Sequence, residues 1–229
     1  MSRPVTIAVD GPSAAGKTTL GQRLAEELGY LYFDTGVMYR AVTLAAIERG
    51  FSLRDENAVT EIANIICIDV MAPTVDDGRP ATVLLDNRDV TWALREARID
   101  QKVSIPSAYP GVRDAMTRQQ RRIAQQGPVV MVGRDIGTVV LPGADLKLYL
   151  DASVEARARR RWLEYQAKDK SASYDAILRD LRNRDRLDAQ RDVAPMRPAS
   201  DAIILDTTQQ SAESVLSYVL DLIDHRNEM

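Results

Sequence analysis

One stretch near the start of the chain constrains the fold more than any other. Residues 5–9 are mostly apolar and predict a buried strand, and they run into Gly11–Thr18, which has the pattern G-x-x-x-x-G-K-T. A helical pattern follows, with Leu20, Leu24 and Leu28 at four-residue spacing. A strand, a glycine-rich loop and a helix in this order are typical of the phosphate-binding loop of an α/β protein.

The residue types of this loop suit a bound anion. Gly11 and Gly16 allow the backbone to curl so that successive N–H groups point at one centre, and the N-terminus of the next helix adds positive potential. Lys17 can reach the β- and γ-phosphates of a nucleoside triphosphate, and the hydroxyl of Thr18 can bind Mg²⁺. The residues expected to hold the nucleotide are Gly11, Pro12, Ser13, Ala14, Ala15, Gly16, Lys17, Thr18 and Thr19.

Composition narrows the class of protein. The 229 residues are enough for one domain with embellishments, and the net charge of −3 argues against a nucleic acid polymer as partner. No run approaches the ~18 apolar residues of a membrane-spanning helix, and the first residues lack the pattern of a signal peptide. The single cysteine, Cys67, excludes an internal disulfide and is expected to be buried. We therefore expect a cytoplasmic protein that binds no membrane.

The remainder of the chain continues the alternation of strands and helices. Further strands are predicted at residues 30–33, 129–132, 146–150 and 202–205, with helical patterns between them. With the first strand they predict an α/β fold whose central sheet is parallel and five-stranded. Residues 66–86 differ, because alternating apolar residues flank a turn cluster, which predicts a small antiparallel sheet inserted into the fold.

Polar residues that follow strands and interrupt helices are candidates for a site. Arg134 and Asp135 come directly after the strand at 129–132, and ligands bind beyond the carboxyl ends of parallel strands. Arg40 lies near a helix start, where it does not help the helix dipole, so a ligand role is favoured over a surface charge. Ser104 and Arg113 flank a break between helices; such breaks often line clefts, although an ordinary surface position is the alternative for each.

Positive charge is concentrated late in the chain. Residues 157–191 contain eleven Lys and Arg against six Asp and Glu. Four arginines, at 157 and 159–161, crowd one helix, and their repulsion favours a mobile segment that covers phosphates over a solvated helix face. In the next helix an apolar stripe continues, at helical spacing, into three charged residues, which indicates a helix that emerges from the core into a cleft. These three residues are Arg184, Asp188 and Arg191.

Together these motifs resemble a known family, the bacterial cytidylate kinases, over nearly the whole chain. The matching segments are Gly11–Thr19, Asp34-Thr35-Gly36 with Tyr39-Arg40, the G-R-D-I-G-T stretch at 133–138, and Arg184-Asp185-Arg186 with Arg191 and Ala194-Pro195. The resemblance implies a three-layer P-loop nucleoside monophosphate kinase fold. It also implies transfer of the γ-phosphoryl group of ATP to CMP or dCMP with Mg²⁺. We expect a monomer whose partners are small molecules. The implied division is a core (1–38, 104–154 and 169–229), a monophosphate-binding lobe (39–103) and a lid (155–168).

The resemblance also implies a role for each candidate residue. The catalytic residues would be Lys17, Arg134, Arg184 and Arg191. Cytosine would be held by Ser104, Arg113 and Asp135, and the sugar would lie near Asp188 and Arg184. The monophosphate would be held by Arg40, Arg134 and Arg191, with Thr35 and Ser13 close by. Arg157 and Arg160 would contact ATP, and Thr18 and Asp34 would bind the metal.

Two positions depart from the family pattern, and two other functions remain alternatives. Val132 stands where the family has an acidic residue that helps to anchor Mg²⁺, so Asp34 is a substitute candidate, with a structural capping role as its alternative. Leu187 stands where some relatives carry an arginine, which removes one lid-side phosphate contact. A kinase for UMP, AMP or shikimate is the nearest rival. A GTP-binding switch is disfavoured because the guanine-binding pattern N-K-x-D is absent.

Overall fold

The structure, a computed structural model, describes residues 4–167, 171–190 and 194–228. The strands are β1 (Thr6–Asp10), β2 (Leu31–Asp34), β3 (Ile68–Met71), β4 (Thr82–Leu85), β5 (Arg88–Asp89), β6 (Val129–Val132), β7 (Leu146–Asp151) and β8 (Ile203–Asp206). The helices are α1 (Lys17–Leu28), α2 (Gly36–Glu48), α3 (Glu56–Ile65), α4 (Ala97–Asp100), α5 (Pro110–Ala124), α6 (Val154–Gln166), α7 (Tyr174–Ala189) and α8 (Ala212–Glu228). A π-helical turn spans Ile136–Val140.

The chain divides into two compact units, Met1–Leu28 with Val130–Met229 and Gly29–Val129. The expected division into core, lobe and lid concerns function and stays a prediction. Within the described part of the chain, no helix is long and apolar enough to span a membrane.

The larger sheet confirms the predicted α/β fold. Its five strands are parallel and lie in the order β2-β6-β1-β7-β8, and each predicted strand has its observed ends within one residue of the expected position. Val9 of β1 lies opposite Leu148 of β7, and Leu148 lies opposite Ile203 of β8. The apolar runs of β1 and β6 are buried, which is typical of central parallel strands that have helices on both faces.

Two helices of the first unit pack against each other along the predicted apolar stripe. Ala158 of α6 and Ile177 and Leu181 of α7 form a buried cluster, with Trp162 and Tyr165 among the partly buried side chains around it. The side chain of Ser153 caps α6 by accepting a hydrogen bond from the Ala156 N–H at 3.2 Å. The apolar stripe that the sequence predicted for α7 is therefore the face that packs on α6.

The second unit contains the predicted antiparallel insertion. Strands β3 and β4 pair in antiparallel register, with Val70 opposite Val83. A short third strand, β5, was not predicted, because two residues carry no alternating pattern. The buried guanidinium of Arg79 pairs with Asp77 and Asp89 and so ties the turn cluster to β5.

Cys67 corrects one expectation from the sequence, because its side chain is exposed. Its neighbours Ile66 and Ile68 are buried. Successive side chains of an extended segment point to opposite faces, so burying the two isoleucines turns the cysteine between them towards solvent.

Candidate active site

The loop between β1 and α1 has the backbone that a phosphate cradle requires. Gly11, Ala14 and Gly16 have positive φ values of 139°, 62° and 98°, and a Cβ on Gly11 would overlap the carbonyl oxygen of Leu150. The ammonium group of Lys17 donates to the Pro12 carbonyl at 2.6 Å, so it lies back against the loop. Loop amides, a lysine and a helix N-terminus are thus gathered at one place, which suits an anionic ligand.

Two side chains distant in sequence hold the carbonyl groups of this loop. The buried hydroxyl of Thr207 donates to the Ala15 carbonyl at 3.0 Å, and the guanidinium of Arg157 donates to the Ser13 carbonyl at 3.2 Å. Sequence reasoning missed Thr207, whose only signal was its position two residues after the last predicted strand. These contacts fix the loop from outside, so its conformation does not depend on the loop sequence alone.

The oxygen donors near the loop fit magnesium held mainly by a nucleotide. Thr18 is exposed in the first turn of α1. The described residues contain no group of three or more His, Cys, Asp or Glu side chains that could hold a metal. Mg²⁺ commonly takes one or two protein oxygens together with substrate phosphates and water, and the Thr18 hydroxyl suits that arrangement.

Two arginines of α6 make hydrogen bonds within the protein. Arg157 is only 4% exposed; its Nε donates to the Ala152 carbonyl at 2.9 Å, and its two terminal nitrogens donate to the Asp185 carboxylate at 3.1 and 2.6 Å. Arg160 donates to the hydroxyl and the carbonyl of Thr207. Asp185 therefore compensates the most buried of these charges, and the role of the segment in covering phosphates stays a prediction.

The segment after β6 carries Arg134 and Asp135, as predicted. Arg134 forms an ion pair with the buried Asp188 of α7, so the structure brings two candidate residues together. Asp135 is buried at the start of the π-helical turn, and its carbonyl accepts the N–H groups of Val139 and Val140 at 2.9 and 3.1 Å. Arg184 is exposed on α7, and Arg191 lies outside the described residues.

Asp10 is a buried acid beside this segment that sequence reasoning missed. Its carboxylate accepts the N–H groups of Ile136 at 2.8 Å and Gly137 at 2.7 Å. Burial raises the pKa of Asp10 to about 6, although the two backbone hydrogen bonds act in the opposite direction. The available signal was an acidic residue that closes an otherwise apolar strand, directly before Gly11.

In the second unit, three candidate residues meet at the start of α2. A Cβ on Gly36 would lie 3.0 Å from both a guanidinium nitrogen of Arg40 and a carboxylate oxygen of Asp34. Asp34 accepts the Gly36 N–H at 2.9 Å, which is the capping role that stood as its alternative. Thr35 is buried at the N-cap position of α2, and its side chain makes no capping hydrogen bond. Arg40 pairs with Asp100 at 2.9 Å.

Ser104 and Arg113 also approach a common turn in this unit. The guanidinium of Arg113 is buried, lies over the ring of Tyr39 at 5.6 Å and donates to the Ser107 carbonyl at 3.3 Å. The Ser107 hydroxyl donates to the Ser104 carbonyl at 3.1 Å, and Ser104 itself is exposed. Ser107 therefore links the two candidates around the predicted helix break.

A G-x-x-x-x-G-K-T loop that follows the first strand of a five-stranded parallel sheet defines this protein as a P-loop protein. The family model for cytidylate kinase matches residues 7–225. The cytidylate kinase of Chloroflexus aggregans is 55% identical over 205 residues, which are 90% of this chain and 87% of the relative. The cytidylate kinase of Herpetosiphon aurantiacus is 48% identical over 223 residues, covering 97% and 96% of the two chains.

The chain belongs to the cytidylate kinase family, as the motifs indicated. Phosphorylation of CMP is the function of that family, with ATP as the phosphoryl donor. Among solved structures, an uncharacterized protein from Eubacterium ventriosum is similar with a TM-score of 0.50 and 9% identity, covering 95% of this chain and 97% of the other. This likeness concerns the fold alone.

Proposed function

We propose that this protein transfers the γ-phosphoryl group of ATP to CMP and dCMP, giving CDP or dCDP and ADP, with Mg²⁺ bound through the nucleotide phosphates and Thr18. The observation that carries the proposal is the phosphate-binding loop. Its backbone is curled and Lys17 lies against it, in a chain that belongs to the cytidylate kinase family. No general base is required, because the attacking phosphate oxygen is already anionic at neutral pH. Catalysis then consists of alignment and neutralisation of charge.

On the donor side, the loop amides and Lys17 bind the β- and γ-phosphates. Magnesium would spread the negative charge that develops during transfer. Arg160 contacts ATP from α6, as the resemblance implies. For Arg157 we propose support of the loop instead of a contact with ATP, because its guanidinium is engaged by Asp185, Ala152 and Ser13.

Asp135, Arg113 and Ser104 select the base. A carboxylate accepts a hydrogen bond from the exocyclic amino group of cytosine and repels the carbonyl group that uracil has at that position. Asp135 and Arg113 are both buried. A wrong base would leave such buried polar groups unpaired, which supports strong discrimination.

Arg40, Arg134 and Arg191 bind the monophosphate, while Asp188 and Arg184 bind the sugar. Planar guanidinium groups match the oxygen geometry of phosphate. Since Arg134 pairs with Asp188 in the structure, CMP would replace the carboxylate on Arg134, and Asp188 would become available to a ribose or deoxyribose hydroxyl. Thr35 and Ser13 lie close to the same phosphate in this proposal, and Asp34 remains a candidate for the metal through water.

The test is release of ADP from ATP and Mg²⁺ with CMP, dCMP, UMP, AMP and shikimate offered separately. Rates with CMP and dCMP far above the other three support both the reaction and the choice of base. Comparable activity with UMP or AMP would keep a nucleotide kinase and overturn the roles of Asp135 and Arg113. We further propose a cytoplasmic monomer. Sedimentation of the purified protein tests the monomer, and fractionation of cells tests the location.

A further inference from the structure

The backbone that follows Arg134 and Asp135 needs hydrogen-bond acceptors from elsewhere in the protein. It enters a π-helical turn at Ile136, and the first N–H groups of any helical turn have no acceptor within that turn. Two of these groups, from Ile136 and Gly137, are directed at the carboxylate of Asp10. A single side chain from β1 therefore satisfies two donors that the segment itself leaves open.

The contact between the Asp10 carboxylate and the turn is close and leaves little room for a side chain at Gly137. Asp10 is only 5% exposed, so water cannot easily replace its oxygens. A Cβ on Gly137 would lie 3.3 Å from the Asp10 carboxylate and 3.2 Å from the side chain of Lys147. Such distances are tighter than ordinary van der Waals contact, so the position suits glycine for its lack of a side chain.

The position of Asp10 links two segments of the proposed site. Asp10 is the last residue of β1 and directly precedes Gly11, the first glycine of the phosphate-binding loop. The two N–H groups that donate to Asp10 belong to Ile136 and Gly137, the two residues directly after Asp135. Asp10 thus connects the loop proposed for ATP to the segment proposed for CMP through buried, charge-assisted hydrogen bonds, which are stronger than neutral ones.

We infer that Asp10 is a positioning residue for acceptor recognition, which acts by fixing the backbone that presents Arg134 and Asp135 to CMP. The inference rests on the proposed function, because it takes those two residues as contacts of CMP. In this inference Asp10 acts through the backbone and not by contact with either substrate. Misplacement of a binding group by about 1 Å can cost on the order of a hundredfold in rate, so loss of this support has measurable consequences.

Two substitutions test the contact from its opposite sides. Asp10→Asn places an amide N–H₂ group where one oxygen accepted an N–H, and Gly137→Ala pushes the carboxylate away while keeping its charge. For both we expect KM for CMP to rise about tenfold or more and the ratio of kcat/KM for CMP over UMP to fall by a similar factor. Binding of a non-hydrolysable ATP analogue without CMP should change by less than about threefold, because the loop keeps its other supports.

Matched controls separate positioning from a general loss of stability. Asp145 also accepts two backbone N–H groups, those of Val5 at 2.9 Å and Thr6 at 2.8 Å, but at the opposite end of β1. A Cβ on Gly143 would meet nothing within 4 Å. Asp145→Asn and Gly143→Ala should therefore leave the KM for CMP and the selectivity for CMP within about twofold of wild type.

Amide hydrogen exchange gives a readout that does not depend on any substrate. In Asp10→Asn, the N–H groups of Ile136 and Gly137 should exchange faster than in wild type, while those of β7 should not. A wild-type protein that fails to phosphorylate CMP overturns the proposed function. If wild type is active, the inference alone is overturned when Asp10→Asn matches Asp145→Asn in KM and selectivity, or when ATP binding weakens as much as CMP binding.

Discussion

The buried pair of Arg157 and Asp185 predicts an unequal response to the loss of either partner. The side chain of Arg157 is 5% exposed and that of Asp185 is 25% exposed. Removing the carboxylate charge with Asp185→Asn leaves a buried guanidinium without its counter-charge, whereas Arg157→Met leaves a carboxylate that water can reach. The first substitution should therefore destabilise the protein more than the second.

The expected magnitudes follow from burial. Uncompensated buried charges cost about 3–5 kcal/mol, and the low end applies here because Asp185 admits some water, so we expect about 3 kcal/mol for Asp185→Asn. Arg157→Met loses charge-assisted hydrogen bonds but keeps most of the volume, which should cost about 1–2 kcal/mol. Adding Arg157→Met to Asp185→Asn should restore part of the lost stability, because it removes the unpaired charge.

Urea unfolding at neutral pH measures these free energies. The exposed pair of Arg182 and Glu155 is a matched control, because both side chains are more than half exposed; Arg182→Met should cost less than about 1 kcal/mol. Equal costs for the two partners of the buried pair, or a double variant less stable than Asp185→Asn alone, would refute the reasoning.

Three further predictions concern the site. Lys17→Ala should abolish phosphoryl transfer while circular dichroism shows an intact fold, and near-normal activity would contradict the role of the loop. Asp135→Ala should raise the kcat/KM for UMP relative to CMP, and an unchanged ratio would contradict its contact with the base. Burial raises the pKa of Asp10 from 3.8 to about 6 in the folded protein. The Asp10 carboxyl therefore stays protonated to a higher pH in the folded state than in the unfolded state. The contribution of Asp10 to the unfolding free energy should therefore fall by up to about 3 kcal/mol as pH rises from about 4 to about 6, at 1.36 kcal/mol per pKa unit. Subtracting the curve of Asp10→Asn isolates this effect, and a flat difference would contradict it.

The features that the sequence predicted correctly are local. The loop at Gly11–Thr18 needs only its own glycines, lysine and flanking apolar residues to be recognised. The helix caps that the structure shows are local in the same sense: Ser153 accepts the Ala156 N–H and Asp55 accepts the Ala58 N–H at 3.0 Å, each from a residue three positions away in the chain. Such interactions leave a pattern in a short window of sequence, and so do the apolar runs of the parallel strands.

The residues that were missed or misread depend on distant partners. Asp10 accepts hydrogen bonds from residues 126 and 127 positions away, and Arg157 pairs with a residue 28 positions away. In the sequence Arg157 is one of several crowded arginines, and nothing local shows that a carboxylate on α7 reaches it. Cys67 was misread because the face that it takes depends on which side of its segment is covered.

The sequence by itself therefore determined the class of fold and the phosphate-binding loop, because both depend on the spacing of nearby residues, and several such motifs along the chain together indicated the family. Only the tertiary structure shows which charged side chains support neighbouring backbone groups. It pairs Arg157, which the sequence predicted as a contact of ATP, with Asp185 and with the loop carbonyl of Ser13, and it makes Asp10 the acceptor for the turn behind Asp135. The physical reason is that burial makes an unpaired charge costly, so a buried charge needs a partner close to it in space. That partner can be far away in the sequence, where no local pattern indicates it.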